Sequence, residues 1–179
     1  MGPVALSARD LDWATWQPRE RATLVFVVEG ANVLLIHKKR GLGAGKINAP
    51  GGRLEPGETA EACARRELEE ELHVTPVGLS PVGELLFQFV DGYGLHCTVF
   101  RASGCLGVPV ETDEATPVFS PVERIPYEKM WADDALWLPL LLGGERFRGR
   151  FVFDRDSMLD HEVERLGPAE RRADGWTCG

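Results

Sequence analysis

The chain has 179 residues, 44% of them hydrophobic and 27% charged, with a formal net charge of −8. That is enough apolar side chain for one domain with a sizeable core, and too much for a disordered chain. The acidic balance argues against a protein that grips duplex nucleic acid by its phosphates, although an anionic small molecule can still bind where a metal ion supplies positive charge.

Residues 1–20 are mixed and aperiodic and read as an N-terminal extension, with Trp13 and Trp16 its largest apolar side chains. No basic segment followed by an apolar run is visible there, so no signal peptide is expected, and Leu6 stands where a myristoylation motif wants Ser or Thr. In TLVFVVEGANVLLIHKK, two β-branched, apolar runs flank EGAN, which predicts a hairpin over residues 23–39. RGLGAGKINAPGGRLEPGE follows. Its glycine content argues against regular structure and lets backbone approach a ligand. A helix is predicted from about Thr59 to Leu72, where Ala60, Cys63, Ala64, Leu68 and Leu72 recur at three- and four-residue steps. Pro76 stops it.

Strands are predicted at GELLFQFV and LHCTVFRASG, with a weaker strand signal in PVFSPVERI. A second helix falls within PYEKMWADDALWLPLLLGG and ends at Gly143-Gly144. FRGRFVFD reads as a last strand, SMLDHEVERL as a short helix and GPAERRADGWTCG as a loose tail. The order predicts an α/β domain, a mixed sheet with helices packed on it. The greasiest run, LWLPLLLGG, is too short to span a bilayer, so no membrane is expected as a partner. Cys63, Cys97, Cys105 and Cys178 show no CxxC spacing and read as free thiols of a cytoplasmic protein. His37, His96 and His161 lack ligand spacing and read as structural or solvated.

The first helix breaks a local rule. Glu69, Glu70 and Glu71 crowd its C-terminal end, where the dipole is already negative. Glu67 lies three and four residues from Glu70 and Glu71, and each like-charged pair costs about 0.2–0.5 kcal/mol on an exposed helix. Arg65 and Arg66 can reach Glu69, and Arg66 can reach Glu70, in the weaker Arg-before-Glu orientation. Taken alone, such a run reads equally as a solvated face. The preceding Gly51-Gly52 and Glu58 favour a site: a hard divalent cation takes carboxylate oxygens plus substrate phosphates, and would turn the repulsion into attraction.

Gly52, Glu58, Arg66, Glu67, Leu68, Glu70, Glu71 and Val74 fall at the spacing of the Nudix box, GX5EX7REUXEEXGU, and the chain resembles that superfamily. His73 stands at the box's last glycine, a position that tends to need left-handed backbone. The resemblance implies the Nudix fold, a mixed β-sheet sandwiched between helices (α/β/α), over residues 21–155, with residues 156–179 as a C-terminal helix and tail. It also implies hydrolysis of a nucleoside diphosphate linked to another group, with Mg²⁺ (or Mn²⁺) as cofactor. The implied metal ligands are Gly51, Glu67, Glu70, Glu71 and Glu114. The implied catalytic residues are Glu70, Arg66 and Glu114, with Arg66 orienting Glu58 and the acids.

From Thr23 to Phe153 the chain resembles the oxidised-purine nucleoside triphosphatase branch, the MutT-homologue 8-oxo-dGTP diphosphatases. LLIHKKRGLGAGKINAPGGRLEPGE, VPVETDEATP and IPYEKMWADDALWLPLLL carry that likeness. It implies a base pocket of Asn48, Trp131, Asp133 and Asp134, with Thr23, Lys38, Gly51 and Gly52 also touching substrate. The chemistry agrees: an Asn amide offers donor and acceptor, a Trp face stacks on a base, and two crowded carboxylates can hold one proton between them. Alone, Asp133-Asp134 would read as helix capping, Trp131 as core and Lys38 as part of a solvated KKR run. Leu42, Ile47 and Pro50 stand where that branch commonly shows aromatic side chains, so fewer rings are expected around the base. The expected partner is a small nucleotide, and a monomer or homodimer is expected to bind it. The alternatives are a Nudix hydrolase of ADP-ribose or a dinucleotide, a catalytically weak nucleotide-binding module, which His73 alone favours, or an isomerase on the same fold.

Overall fold

The computed structural model describes residues 6–172 and 175–177. The first predicted hairpin forms as β1 (Glu20–Glu29) and β2 (Asn32–Lys38), antiparallel, with Glu29 opposite Asn32. Phe26, Val33 and Leu35 enter one core cluster, and Val25, Val27, Leu34 and Ile36 enter another. Apolar runs buried on both sides mark strands sandwiched between covering layers.

The glycine-rich stretch is more regular than its composition predicts. β3 (Ile47–Asn48) pairs with β2, and β4 (Gly51–Arg53) pairs with β1. β4 lies so close to β1 that a β-carbon at Gly51 would collide with the Thr23 carbonyl. Glycine here permits the pairing instead of preventing it.

Helix α1 (Ala60–Leu72) begins where the Thr59 hydroxyl accepts the Ala62 N–H at 3.1 Å. It ends at His73, whose φ of 58° and ψ of 38° are left-handed and whose N–H donates to the Glu69 carbonyl at 3.0 Å. The backbone conformation expected of that position is therefore adopted by a non-glycine residue.

β5 (Thr75–Val77) and β8 (Gly104–Leu106) form a small separate ribbon. Between them run the two predicted strands, β6 (Ser80–Phe89) and β7 (Gly94–Ala102). The weaker strand signal materialises as β9 (Ala115–Pro121), paired with β2. A 3₁₀ turn at Tyr127–Lys129 leads into α2 (Asp134–Leu142), which stops at Gly143. β10 (Glu145–Asp154) completes the predicted set.

One sheet runs β11-β10-β6-β7-β1-β2-β3, where β11 is Ser157–Pro168, with β4 also on β1 and β9 also on β2. The β1–β7 and β6–β10 pairs are parallel and the other pairs antiparallel, so the sheet is mixed. Ala64, Leu68 and Leu72 of α1 pack on one face, and Trp137, Leu138 and Leu141 of α2 on the other, the layering expected of an α/β/α fold.

SMLDHEVERL, expected as a short helix, is strand β11. The chain reverses at Arg155, with φ 56°, and pairs back along β10 from Asp154↔Ser157 to Glu145↔Pro168. The reversal uses a non-glycine residue at positive φ, so the usual hairpin signal is missing from the sequence. Met158 and Val163 turn inward and pack on the core. Within the expected tail, β12 (Glu170–Arg172) pairs with β13 (Gly175–Thr177), while Cys178 lies outside the described residues. No helix among the described residues is long and apolar enough to cross a membrane.

Candidate active site

Helix α1 decides which glutamates turn inward. Its buried face holds Cys63, Ala64, Glu67, Leu68, Glu71 and Leu72, so Glu67 and Glu71 share the packing side and Glu70 is left outside it. Glu114, just before β9, approaches the same point, and Glu67, Glu71 and Glu114 each offer an oxygen within 4.8 Å of the others. Glycine makes room for them: a β-carbon at Gly52 would collide with the Glu67 carboxylate. Gly51, expected to offer its carbonyl, donates its N–H to Glu71 Oε1 at 3.4 Å.

Burial first, and the Glu67 charge second, push the Glu71 carboxyl up to about 8. Burial likewise raises Glu67. Glu71 Oε2 is buried with no hydrogen-bond partner. Lys38 lines the same wall, its ammonium pulled below the usual lysine range by burial and supported by Glu71. Three converging carboxylates, one with an orphaned buried oxygen, fit a hard divalent cation, which would satisfy that oxygen and cancel the repulsion.

Arg66 ties this end together. Its Nε and Nη2 fork onto Glu58 at 2.7 and 2.8 Å, and Nη1 donates to Glu67 Oε1 at 2.9 Å and Glu70 Oε2 at 3.0 Å. Nη2 also reaches the Arg53 carbonyl at 3.1 Å. The guanidinium holds Glu58 at about 2. With its donors engaged this way, Arg66 joins loop to helix. Arg65 pairs with Glu61 at 3.1 Å, not with Glu69.

A cavity of ≈ 360 Å³ runs from this cluster past Lys38, Asn48 and Trp131 to Asp133 and Asp134. Both aspartates are only 2% exposed. Asp133 occupies the N-cap position of α2 yet makes no capping bond; its Oδ2 accepts the Trp137 indole N–H at 2.8 Å. Burial pushes Asp133 up to about 6, and burial together with the Asp133 charge drives Asp134 well above the carboxylate range. Asp134 Oδ2 is buried without a partner. Burial and mutual repulsion both favour the protonated form of this pair.

Asn48 Oδ1 accepts the N–H of Ala49 at 2.8 Å, leaving the amide NH₂ as the unused donor. Trp131 packs edge-on against Phe153, and the Lys46 ammonium sits 5.3 Å from its ring. Thr23 lines the cavity, but its hydroxyl lies 3.5 Å from Cys63 Sγ, toward α1.

Leu42, Ile47 and Pro50 bring no ring, but rings reach the cavity from elsewhere. Ile47 belongs to the core, Pro50 is buried, and Leu42 sits exposed at the mouth, but Phe87, Phe89, Tyr93, Trp131 and Phe153 all line the cavity. Aromatic surface reaches the pocket from β6, β10 and the β6–β7 turn instead of from the glycine loop. Phe87 and Phe89, whose alternation in GELLFQFV suits either core or pocket, line the pocket, and the alternation in FRGRFVFD was the signal that could have found Phe153. Tyr93, alone in a turn, gave none.

A carboxylate cluster thus lies between a glycine loop and a helix and opens to an aromatic cavity. Residues 18–141 match the NUDIX domain, and the chain belongs to the Nudix family. It is 44% identical over 146 residues to an oxidized purine nucleoside triphosphate hydrolase of Danio rerio, and 40% identical over 146 residues to the Mus musculus protein of that name. Each match covers 80% of this chain and 94% of the relative. Among solved structures, a MutT protein from Bacillus halodurans superposes with a TM-score of 0.73 at 25% identity, over 81% of this chain and 97% of its own. Nudix hydrolases generally use a divalent metal, and the Glu67, Glu71 and Glu114 group is where this chain can hold one.

Proposed function

We propose that the protein hydrolyses purine nucleoside triphosphates, oxidised ones such as 8-oxo-dGTP above all, to the monophosphate and pyrophosphate, with Mg²⁺ (or Mn²⁺) as cofactor. One observation carries the substrate reading: the buried, unpartnered Asp134 beside Asp133, at the far end of an aromatic cavity from the glutamate cluster. A carboxylic acid kept neutral by burial donates a hydrogen bond to a purine carbonyl, while its ionised neighbour accepts from a ring N–H or amine. Asn48 adds a donor, and the Trp131 face offers stacking worth about 1–3 kcal/mol. The names of the two animal relatives point the same way.

Glu67, Glu71 and Glu114, with Gly51 and Glu70 completing the set, would hold the cation, which when bound supplies charge neutralisation and a more acidic water. Lys38, beside Glu71, meets the phosphate chain. Arg66 keeps Glu58, Glu67 and Glu70 in place while the substrate docks. One carboxylate among Glu70, Glu71 and Glu114 takes the proton of the attacking water. The water oxygen bonds to phosphorus, the α–β bridge breaks, and pyrophosphate leaves. A cytoplasmic role in clearing damaged nucleotides from the precursor pool follows, carried out by a monomer or homodimer on a small-molecule partner and not on duplex nucleic acid.

Product analysis by ion exchange on 8-oxo-dGTP, dGTP and ADP-ribose with Mg²⁺ tests the proposal. Monophosphate and pyrophosphate should form fastest from 8-oxo-dGTP, and Glu70→Gln should suppress both. Brisk ADP-ribose cleavage beside idle triphosphates would overturn it.

A further inference from the structure

The family match begins at residue 18, so the segment before it is not explained by family membership. That segment is built into the fold at both ends. Near its start, the Ser7 hydroxyl and the Ala8 N–H both donate to Asp160 Oδ2 of β11 at 2.7 Å, and Ala8 is buried. The Trp13 indole donates back to the Ala8 carbonyl at 2.7 Å, and the Trp13 and Trp16 rings lie 5.3 Å apart. At the other end, the Arg19 N–H donates to the Gly94 carbonyl at 2.8 Å.

The crossing point is the turn between β6 and β7. Trp16 Nε1 donates to Gln88 Oε1 at 2.7 Å, and Gln88 Nε2 passes the contact on to the Phe89 carbonyl at 2.9 Å and the Tyr93 carbonyl at 3.3 Å. Gly94 is bare where the indole crosses: a β-carbon there would lie 3.0 Å from Trp16 Cζ2. The Tyr93 hydroxyl donates to Glu20, which pairs with Arg53 at 3.0 Å. This turn supplies two cavity rings, Phe89 and Tyr93, whose centroids are 5.7 Å apart. An exposed turn is ordinarily among the least stable parts of a fold; here an indole and an amide tie down both of its ends.

We propose that residues 6–19 act as a strap that positions the aromatic wall of the base pocket, with Trp16 and Gln88 as its positioning residues. The strap touches neither the glutamate cluster nor the aspartate pair. Its effect is therefore on the fit of the base and not on bond cleavage. The proposal rests on the purine reading of the cavity for its kinetic consequence, and on the structure alone for its mechanical one.

Full-length Trp16→Phe, which keeps a ring and removes the indole N–H, and Gln88→Leu, which cuts the relay, are the variants to compare with wild type. KM for 8-oxo-dGTP should rise roughly 3- to 10-fold, the worth of one ordering hydrogen bond, with kcat within about twofold. Amide hydrogen exchange at residues 89–94 should quicken in both variants, while exchange across α1 stays as in wild type. A fall in kcat at unchanged KM, or exchange at the turn unchanged in both, would overturn the strap. A wild-type enzyme idle on every purine triphosphate would sink the functional reading instead, and exchange at the turn would then decide the strap by itself.

Discussion

Two acid clusters line one cavity, one partly open and one buried, and their surroundings differ. Glu67, Glu71 and Glu114 are three separate carboxylates converging from a helix and a loop beside Lys38, with Arg66 on Glu67 and Arg40 on Glu114. Asp133 and Asp134 are neighbours in sequence, buried at the cavity wall, and Asp133 accepts the Trp137 indole N–H. The first cluster is open to oxygen-seeking cations and has an orphaned oxygen for one to meet. The second is only 2% exposed, and burial with mutual repulsion favours its protonated form. Like charges are crowded in both places, and the surroundings differ in what could relieve them, a cation at one end and a proton at the other.

Exchanging acids for amides separates the two most sharply. Glu71→Gln removes a charge that the cation needs, and turnover should fall by more than the roughly 10–100-fold that a supporting residue is worth. Asp134→Asn keeps a hydrogen-bond donor, so its kcat/KM on purine triphosphates should stay within about tenfold of wild type, whereas Asp134→Ala should lose about 10- to 100-fold, mostly in KM. Equal damage from both amide swaps would erase the distinction.

Arg66→Lys keeps the charge but not the fork onto Glu58, and should cost about tenfold in kcat with a weakened response to metal concentration, read from Mg²⁺ titrations of activity.

The proton-holding end also has a pH signature. Asp133 rises from the ordinary aspartate range of about 4 to about 6 in the fold, and Asp134 rises further. A carboxyl raised by folding binds more protons folded than unfolded, so it subtracts stability as pH climbs from about 4 through the folded value. Thermal denaturation without metal should show Tm falling across that window, and Asp134→Asn should flatten the fall. At the metal end, Glu71 moves in the same direction up to about 8, so added Mg²⁺ should raise Tm more at pH 8 than at pH 5.

His73→Gly touches neither cluster. It removes a side chain from a left-handed position at the end of the helix that carries the metal end, and should raise stability by roughly 0.5–1 kcal/mol in urea unfolding with turnover unchanged.

The loop–helix part of the glutamate cluster was readable from the sequence because it is local. Glu58, Arg66, Glu67, Glu70 and Glu71 sit on one loop–helix unit whose period is fixed by 3.6 residues per turn. Even there, spacing put Glu67 beside both Glu70 and Glu71, and only the packing of α1 on the sheet turned Glu71 inward and left Glu70 with Arg66. The base end was far less readable. Asp133-Asp134 looks like a cap until Trp137, one turn along, takes the carboxylate instead. Tyr93 and the Trp16–Gln88 tie depend on residues 72 or more apart in the chain, and β11 on a reversal through Arg155 that no glycine announced.

The sequence by itself determined the alternating apolar runs, the first helix with its cap, and the acidic residues available to hold a metal. These follow from backbone geometry and charge over a few turns of chain. The tertiary structure decided which acids are buried, which of them burial pushes toward the protonated form, and which rings form the pocket wall. Burial is a property of what else folds against a residue, and desolvation, more than residue type, sets what a carboxyl can do.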